Sequence, residues 1–173
     1  GHQPMVSRSG RYVLTYNGEI YNHAELRRDL SSDWHGHSDT ETLLVAIDRW
    51  GLRGAVEKCV GMFAFALWDR EARTLSLVRD RIGEKPLYYG WSRGAFLFGS
   101  ELKALRAWPT FEPEIDRTAL DWLVRRAYVP APLSIYKNVY KLEPGCILEI
   151  KERSKHRTER YWSYPALVAE AQS

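Results

Sequence analysis

Asn17-Gly18-Glu19 and, twenty residues beyond Glu19, Asp39 within Ser38-Asp39-Thr40-Glu41 are the residues whose types and spacing could do chemistry. An asparagine NH₂ and a glycine N–H can both point at one oxygen, because glycine lets its backbone approach closely. Two such donors make an oxyanion hole for acyl transfer, each typically worth about 2.7–4 kcal/mol in the transition state. Glu19 and Asp39 could supply two carboxylates to one cation, such as an α-ammonium group. Each motif also has a local reading without chemistry. Asn-Gly between apolar extended runs is the strongest short hairpin signal. Ser38 and Glu41 have the spacing of a capping box, with Asp39 complementing the helix dipole. Neither signal is specific alone; the two in this order around one helix are more so.

Other residues that could react read more simply as structure. Arg79-Asp80-Arg81 ahead of Gly83 could hold an anion, but alternating charges in a loop fit a surface ion-pair network. His35-Gly36-His37 has a spacing a metal could use, yet no acidic or thiol partner is near in sequence, and no metal site is expected. Ser100-Glu101-Leu102-Lys103 matches S-x-x-K, but its companion S-D-N and K-T-G elements are absent, so Ser100 reads as a helix cap. Cys59 and Cys146 have neither disulfide nor metal spacing and read as small buried apolar residues. Met62, inside an apolar run, is core by default.

The elements that must position these residues follow from pattern. Residues 11–16 predict a strand, with extended character resuming at Glu19. Asn22 and Glu25 predict a capped helix to Leu30. Residues 31–37 form a polar loop. Leu43, Leu44, Ile47 and Trp50 lie on one helical face ended by Gly51, with a short helix over Leu52 to Lys58. Met62 to Trp68 reads as a strand covered on both faces, followed by Thr74–Val78, Leu87–Trp91 and Ala95–Phe98, four strands in antiparallel meander order. Pro109 ends a helix opened by Ser100. Asp116 caps another, whose Leu120, Leu123, Val124 and Ala127 share a face. Residues 130–145 are a wandering connection, and Cys146–Ile150 is the last strand. The fold class is α+β.

The chain of 173 residues suits one domain of ordinary size. Apolar residues at 45% and charged residues at 27% make it globular rather than disordered. A formal charge of +3, without a basic stripe, argues against nucleic acid or an anionic membrane as partner. The basic stretch Lys151–Arg160 reads as a solvated loop. No apolar run approaches the ~20 residues that span a bilayer. A cytoplasmic setting is the default.

Six ordered blocks carry a resemblance: Tyr16 to Asn22; Ser38-Asp39; Gly61 to Asp69; Arg79 to Gly83 with Lys85 to Tyr89; Ser100 to Leu105; and Leu142-Glu143-Pro144-Gly145. Together they resemble the glutaminase domain of glutamine-dependent asparagine synthetases, class II glutamine amidotransferases of the N-terminal-nucleophile type. The resemblance implies stacked antiparallel sheets flanked by helices in a four-layer αββα fold, incomplete at the N-terminus. It implies an amidotransferase domain over residues 1–162 and a linker over 163–173 toward an absent synthetase domain. Asn17 and Gly18 look like the oxyanion-hole donors, Glu19 and Asp39 like the holders of the α-amino group of glutamine, and Met62 like a lining of the ammonia route. In that family the second domain activates aspartate with ATP and Mg²⁺; no cofactor is expected in the present chain, which has no P-loop pattern.

The family's cysteine nucleophile and its carboxylate-clamping arginine have no counterpart here. They are expected upstream of Gly1, and the chain alone is expected not to hydrolyse glutamine. Glutamine, a covalently linked synthetase domain and a homodimeric mate are the partners this implies, with no nucleic acid and no membrane. Two other functions stay open: an amidotransferase of surface-polysaccharide biosynthesis, and a non-catalytic module that binds an amino acid or serves assembly.

Overall fold

The computed structural model describes residues 2–152 and 155–164. In chain order its elements are β1 (Met5–Val6), β2 (Tyr12–Ile20), α1 (His23–Leu30), α2 (Asp39–Lys58), β3 (Gly61–Asp69), β4 (Thr74–Arg79), β5 (Tyr88–Ser92), β6 (Ala95–Gly99), α3 (Leu102–Arg106), α4 (Arg117–Arg126), β7 (Val139–Lys141), β8 (Cys146–Glu152) and β9 (Lys155–Arg160). The chain divides into two compact units, residues 1–85 with 144–173, and residues 86–143. Among the described residues the first unit holds an antiparallel sheet in the order β1-β2-β3-β4-β8-β9, and the second holds β6-β5-β7. Antiparallel sheets accompanied by helices make the fold α+β, as the pattern predicts.

In the first unit β2 alternates. Tyr12, Leu14, Tyr16 and Ile20 join Phe63, Phe65 and Leu67 of β3 in one core with Leu43, Leu44, Ala46 and Ile47 of α2. Ala64, Ala66, Leu77 and Leu148, on the other face, are buried as well, so β3 is covered on both faces as its unbroken apolar run predicts. The predicted break in α2 is present: Gly51 takes φ 73°, a left-handed conformation that a residue without a β-carbon adopts freely.

Several expectations are corrected. Asn17-Gly18 is not a hairpin turn; β2 runs straight through it, with Asn17 opposite Ala64 and Gly18 opposite Phe63. Asn22 does not cap α1 with its side chain. Its amide instead spans the start of β3, donating to the Lys58 carbonyl and accepting from the Val60 N–H. The four-strand meander splits, since β4 pairs with β8, and β5 pairs with β6 and β7 in the second unit. The redirection happens at Asp80. Its carboxylate, fully buried, accepts the N–H groups of Phe63, Gly83, Glu84 and Lys85 at 2.6–3.2 Å. This curls residues 80–85 away from the ladder. Arg79, also buried, donates to the carbonyls of Lys85 and Gly83. Arg79 and Asp80 are therefore a buried backbone clamp rather than part of a surface ion-pair network.

The basic stretch after residue 151 is not a loop: Lys155–Arg160 is the outer strand β9. A charged edge strand of this kind resists pairing with other chains. The expected linker lies, from residue 165 on, outside the described residues.

In the second unit Trp91 and Phe96 meet edge-on at 5.0 Å, and Tyr89 stacks by Tyr140 at 5.7 Å. Asp116 caps α4 as predicted, accepting from the Thr118 and Ala119 N–H groups. The face expected to be core is not: Leu120, Leu123 and Val124 are exposed, and Ala119 alone of this helix is buried. Ser100 lies before α3, whose N-cap is Glu101. Lys103 pairs with that glutamate in solvent.

Candidate functional site

The carboxyl-terminal half of β2 is held at an open edge. β1 pairs with β2 only at Leu14 and Val13. One step further the Gln3 side chain takes the place of a strand, donating to the Tyr16 carbonyl at 2.8 Å and accepting from the Tyr16 N–H at 2.7 Å. Antiparallel pairs alternate between hydrogen-bonded and non-hydrogen-bonded. Opposite Gly18, both backbone groups of Phe63 are turned to Asp80, the N–H to its carboxylate and the carbonyl to its N–H. Gly18 thus belongs to a non-hydrogen-bonded pair, and its N–H is directed out of the sheet edge, in line with those of Tyr16 and Ile20.

Only glycine fits there. A β-carbon on Gly18 would stand 2.2 Å from the Met62 carbonyl oxygen and 2.6 Å from the Phe63 Cα. On Gly61, diagonally across, it would stand 2.1 Å from the Glu19 carbonyl oxygen. The two glycines let β2 and β3 press together at this point.

Asp39 arrives from the helix side. As the first residue of α2, behind Ser38, whose hydroxyl accepts the Glu41 N–H, it reaches β2 with its carboxylate. Oδ2 accepts from the Tyr16 hydroxyl at 2.7 Å and the Ile20 N–H at 3.0 Å, while Oδ1 accepts from the Thr40 N–H at 2.9 Å. Asn17 and Glu19, exposed, leave β2 on the opposite face, Glu19 facing Met62 across the ladder. The structure thus gathers Asn17, Gly18, Glu19 and Asp39 at one stretch of edge. The carboxylates of Glu19 and Asp39 flank it from opposite faces. Met62 is half-buried beside Glu19.

The loop behind Asp39 is fastened by Arg27, which donates to Thr42 Oγ1 at 2.8 Å and to the carbonyls of Gly36 and Ser38. It also pairs with Glu41 and lies over the Trp34 ring. Burial pushes the Glu41 carboxyl upward in pKa, but the His35 and Gly36 N–H groups and the Arg27 charge outweigh it and hold it below its ordinary value. Glu41 therefore closes only half of the predicted capping box; its carboxylate serves the loop. His35 is hydrogen-bonded to Arg8. Among the described residues no three His, Cys, Asp or Glu side chains gather as metal ligands. Cys59, fully buried at the end of α2, has its thiol pushed up to about 12 by burial, and stays protonated at neutral pH.

Sequence reasoning missed two contributors. Tyr16 reads as a strand former only, although β2 alternation puts it on the face that α2 must cover. Asp80 reads as a surface charge, and nothing local tells that four N–H groups close around it.

A family model described as glutamine amidotransferase domain matches residues 1–162. The chain belongs to that family. This amidotransferase domain is 36% identical over 169 residues to asparagine synthetase [glutamine-hydrolyzing] 3 of Bacillus subtilis, covering 94% of the chain and 27% of that protein. It is 34% identical to the putative asparagine synthetase [glutamine-hydrolyzing] 2 of Methanocaldococcus jannaschii, covering 95% and 35%. The chain thus spans from about a quarter to just over a third of the length of these relatives. Among solved structures, the glutamine phosphoribosylpyrophosphate amidotransferase of B. subtilis superposes with a TM-score of 0.65 at 22% identity, covering 92% of this chain and 31% of that one. At that identity the likeness speaks for the fold, which is that of the amidotransferases.

Proposed function

We propose that this domain binds glutamine at the open edge of β2 and hydrolyses its side-chain amide, handing ammonia to an ATP-dependent synthetase portion of the same polypeptide that converts aspartate to asparagine. The observation that carries the reading is the Gly18 N–H, turned outward by its register opposite Phe63, beside a carboxylate that α2 brings to the same edge. Family membership and the glutamine-hydrolysing synthetases among the relatives support it.

In this reading the amide carbonyl of glutamine faces the Gly18 N–H and the Asn17 side-chain NH₂. A nucleophilic thiol attacks the carbonyl carbon, and the charge that develops on oxygen is held by those two donors; collapse breaks the C–N bond, the nitrogen takes the thiol's proton and leaves as ammonia, and water then cleaves the thioester to glutamate and the free thiol. Cys59 and Cys146 are both buried, so this reading takes the thiol from a part of the natural polypeptide outside these 173 residues. The α-ammonium group sits between Glu19 and Asp39. Ammonia leaves past Met62. In this reading ATP and Mg²⁺ belong to the synthetase portion of the polypeptide.

A second acceptor chemistry has an observation in its favour: the chain is also 30% identical to amidase chry2 of Gibberella zeae, over 95% of its length. The glutaminase half of the reaction would be the same with an acceptor other than aspartate.

The test is glutamine hydrolysis by the natural polypeptide that carries this chain. Asn17→Ala is expected to lower kcat by about 10²–10³ with little change in KM, as for loss of one oxyanion donor. An unchanged kcat refutes the assignment.

A further inference from the structure

We infer that Tyr16 is a positioning residue for substrate recognition, its hydroxyl aiming the Asp39 carboxylate so that the site distinguishes glutamine from a ligand lacking the α-amino group. The inference rests on the proposed role of Asp39 and adds a residue to it.

An ionised carboxylate has about four acceptor positions. On Asp39 three are taken by protein donors: the Tyr16 hydroxyl and the Ile20 N–H on Oδ2, and the Thr40 N–H on Oδ1. One position remains, on Oδ1, for an incoming ammonium. Which way it faces is set by how Oδ2 is pinned. The Ile20 N–H on Oδ2 and the Thr40 N–H on Oδ1 hold the carboxylate by one backbone donor on each oxygen. The Tyr16 hydroxyl, at 2.7 Å, adds a third contact, from a side chain fixed in the core, and narrows the directions the remaining position can face.

Tyr16 is itself immobilised. Its ring is in the core shared by β2 and α2, and both its backbone groups are held by the Gln3 side chain. Burial, followed by the hydrogen bond to Asp39, raises the phenol above its ordinary range. The hydroxyl therefore stays a donor throughout the neutral range. A phenylalanine would fill the same core space without supplying this contact, so packing alone does not account for the hydroxyl.

The experiment measures kcat/KM for ammonia release from L-glutamine and from its des-amino analogue, 5-amino-5-oxopentanoate, by the natural polypeptide. It compares wild type, Tyr16→Phe, Asp39→Asn and the double variant. Tyr16→Phe is expected to lower kcat/KM for L-glutamine by about ten- to 150-fold, the range for hydrogen bonds to charged groups. The des-amino ligand should change less than about two-fold, being blind to the amine contact. In Asp39→Asn the added Tyr16→Phe should cost little more, because the two act through one contact. A Tyr16→Phe variant that lowers kcat/KM for both ligands alike, or for neither, while Asp39→Asn abolishes discrimination, overturns the role of Tyr16 and leaves that of Asp39 standing. Discrimination that survives Asp39→Asn, or is absent from wild type, overturns both. Should Tyr16→Phe fail to fold, the wild-type Tyr16 hydroxyl proton resonance serves instead. It is expected to move on adding L-glutamine and not the analogue; an unmoved resonance overturns the inference.

Discussion

A β-carbon at position 18 would collide with backbone of β3, the Met62 carbonyl oxygen and the Phe63 Cα, rather than with the movable end of a side chain. Phe63 cannot retreat easily, because Asp80 holds both its N–H and its carbonyl. Gly18→Ala is therefore expected to destabilise the protein by about 1–3 kcal/mol, the usual cost of overpacking. It should also impair glutamine hydrolysis by displacing the outward N–H. Chemical denaturation beside kinetics checks both; an alanine variant of unchanged stability would mean the strands can part at no cost. The glycine thus answers to two demands, close strand packing and an unobstructed donor. The sequence shows that a glycine follows the asparagine, but it does not show that a carbonyl lies against it.

At the scale of elements, the junction of α1, the loop 31–38 and α2 depends on Arg27 and Glu41, and the hairpin end of β3 on Arg11 and Asp69. The bidentate pair with Arg11, at 2.7 and 3.0 Å, outweighs burial and holds the Asp69 carboxyl below its ordinary value. Glu41 is lowered despite burial by two N–H groups and Arg27. Both groups bind protons more weakly folded than unfolded. Their contribution is full above the ordinary carboxylate values of 4.5 and 3.8, and it is lost as pH falls through the lower folded values. Stability is accordingly expected to decline below about pH 4.5, and Glu41→Gln to flatten part of that decline. Denaturant midpoints measured from pH 7 to pH 3 check this; a Glu41→Gln profile parallel to wild type would rule out its share. Helix caps and the Gly51 break were readable because they act within one turn. The pairing of β4 with β8 was not, since about seventy residues separate the partners and the redirecting nest at Asp80 is built of amides that every sequence has.

At the scale of the whole molecule, two surfaces stand out. Among the described residues no strand pairs with β2 beyond Leu14 on its outer edge, and α4 exposes Leu120, Trp122, Leu123 and Val124, the last 77% accessible. Apolar surface of this extent on a ten-residue helix marks a contact site or an aggregation hazard. Purified as 173 residues, the chain is expected to self-associate as concentration rises, and Leu120→Lys with Val124→Lys to suppress this. Light scattering that reports one monomeric mass across the accessible concentrations would refute it. No helix among the described residues is long and apolar enough to cross a membrane.

Sequence alone determined the helices and central strands, the α+β class, the both-sided burial of β3 and the family, since each is written in local periodicity or in the order of short blocks. It left Asn17-Gly18 divided between hairpin and strand, and Asp39 between helix cap and ligand. Tertiary structure decided the first, because β3 packed against β2 removes the room for a turn, and it carries the start of α2 to the β2 edge, where Asp39 bonds Tyr16 and Ile20. Apolar spacing predicts which face of α4 is greasy, but not whether anything covers it. Burial is a relation between segments, and it is settled only when the segments meet.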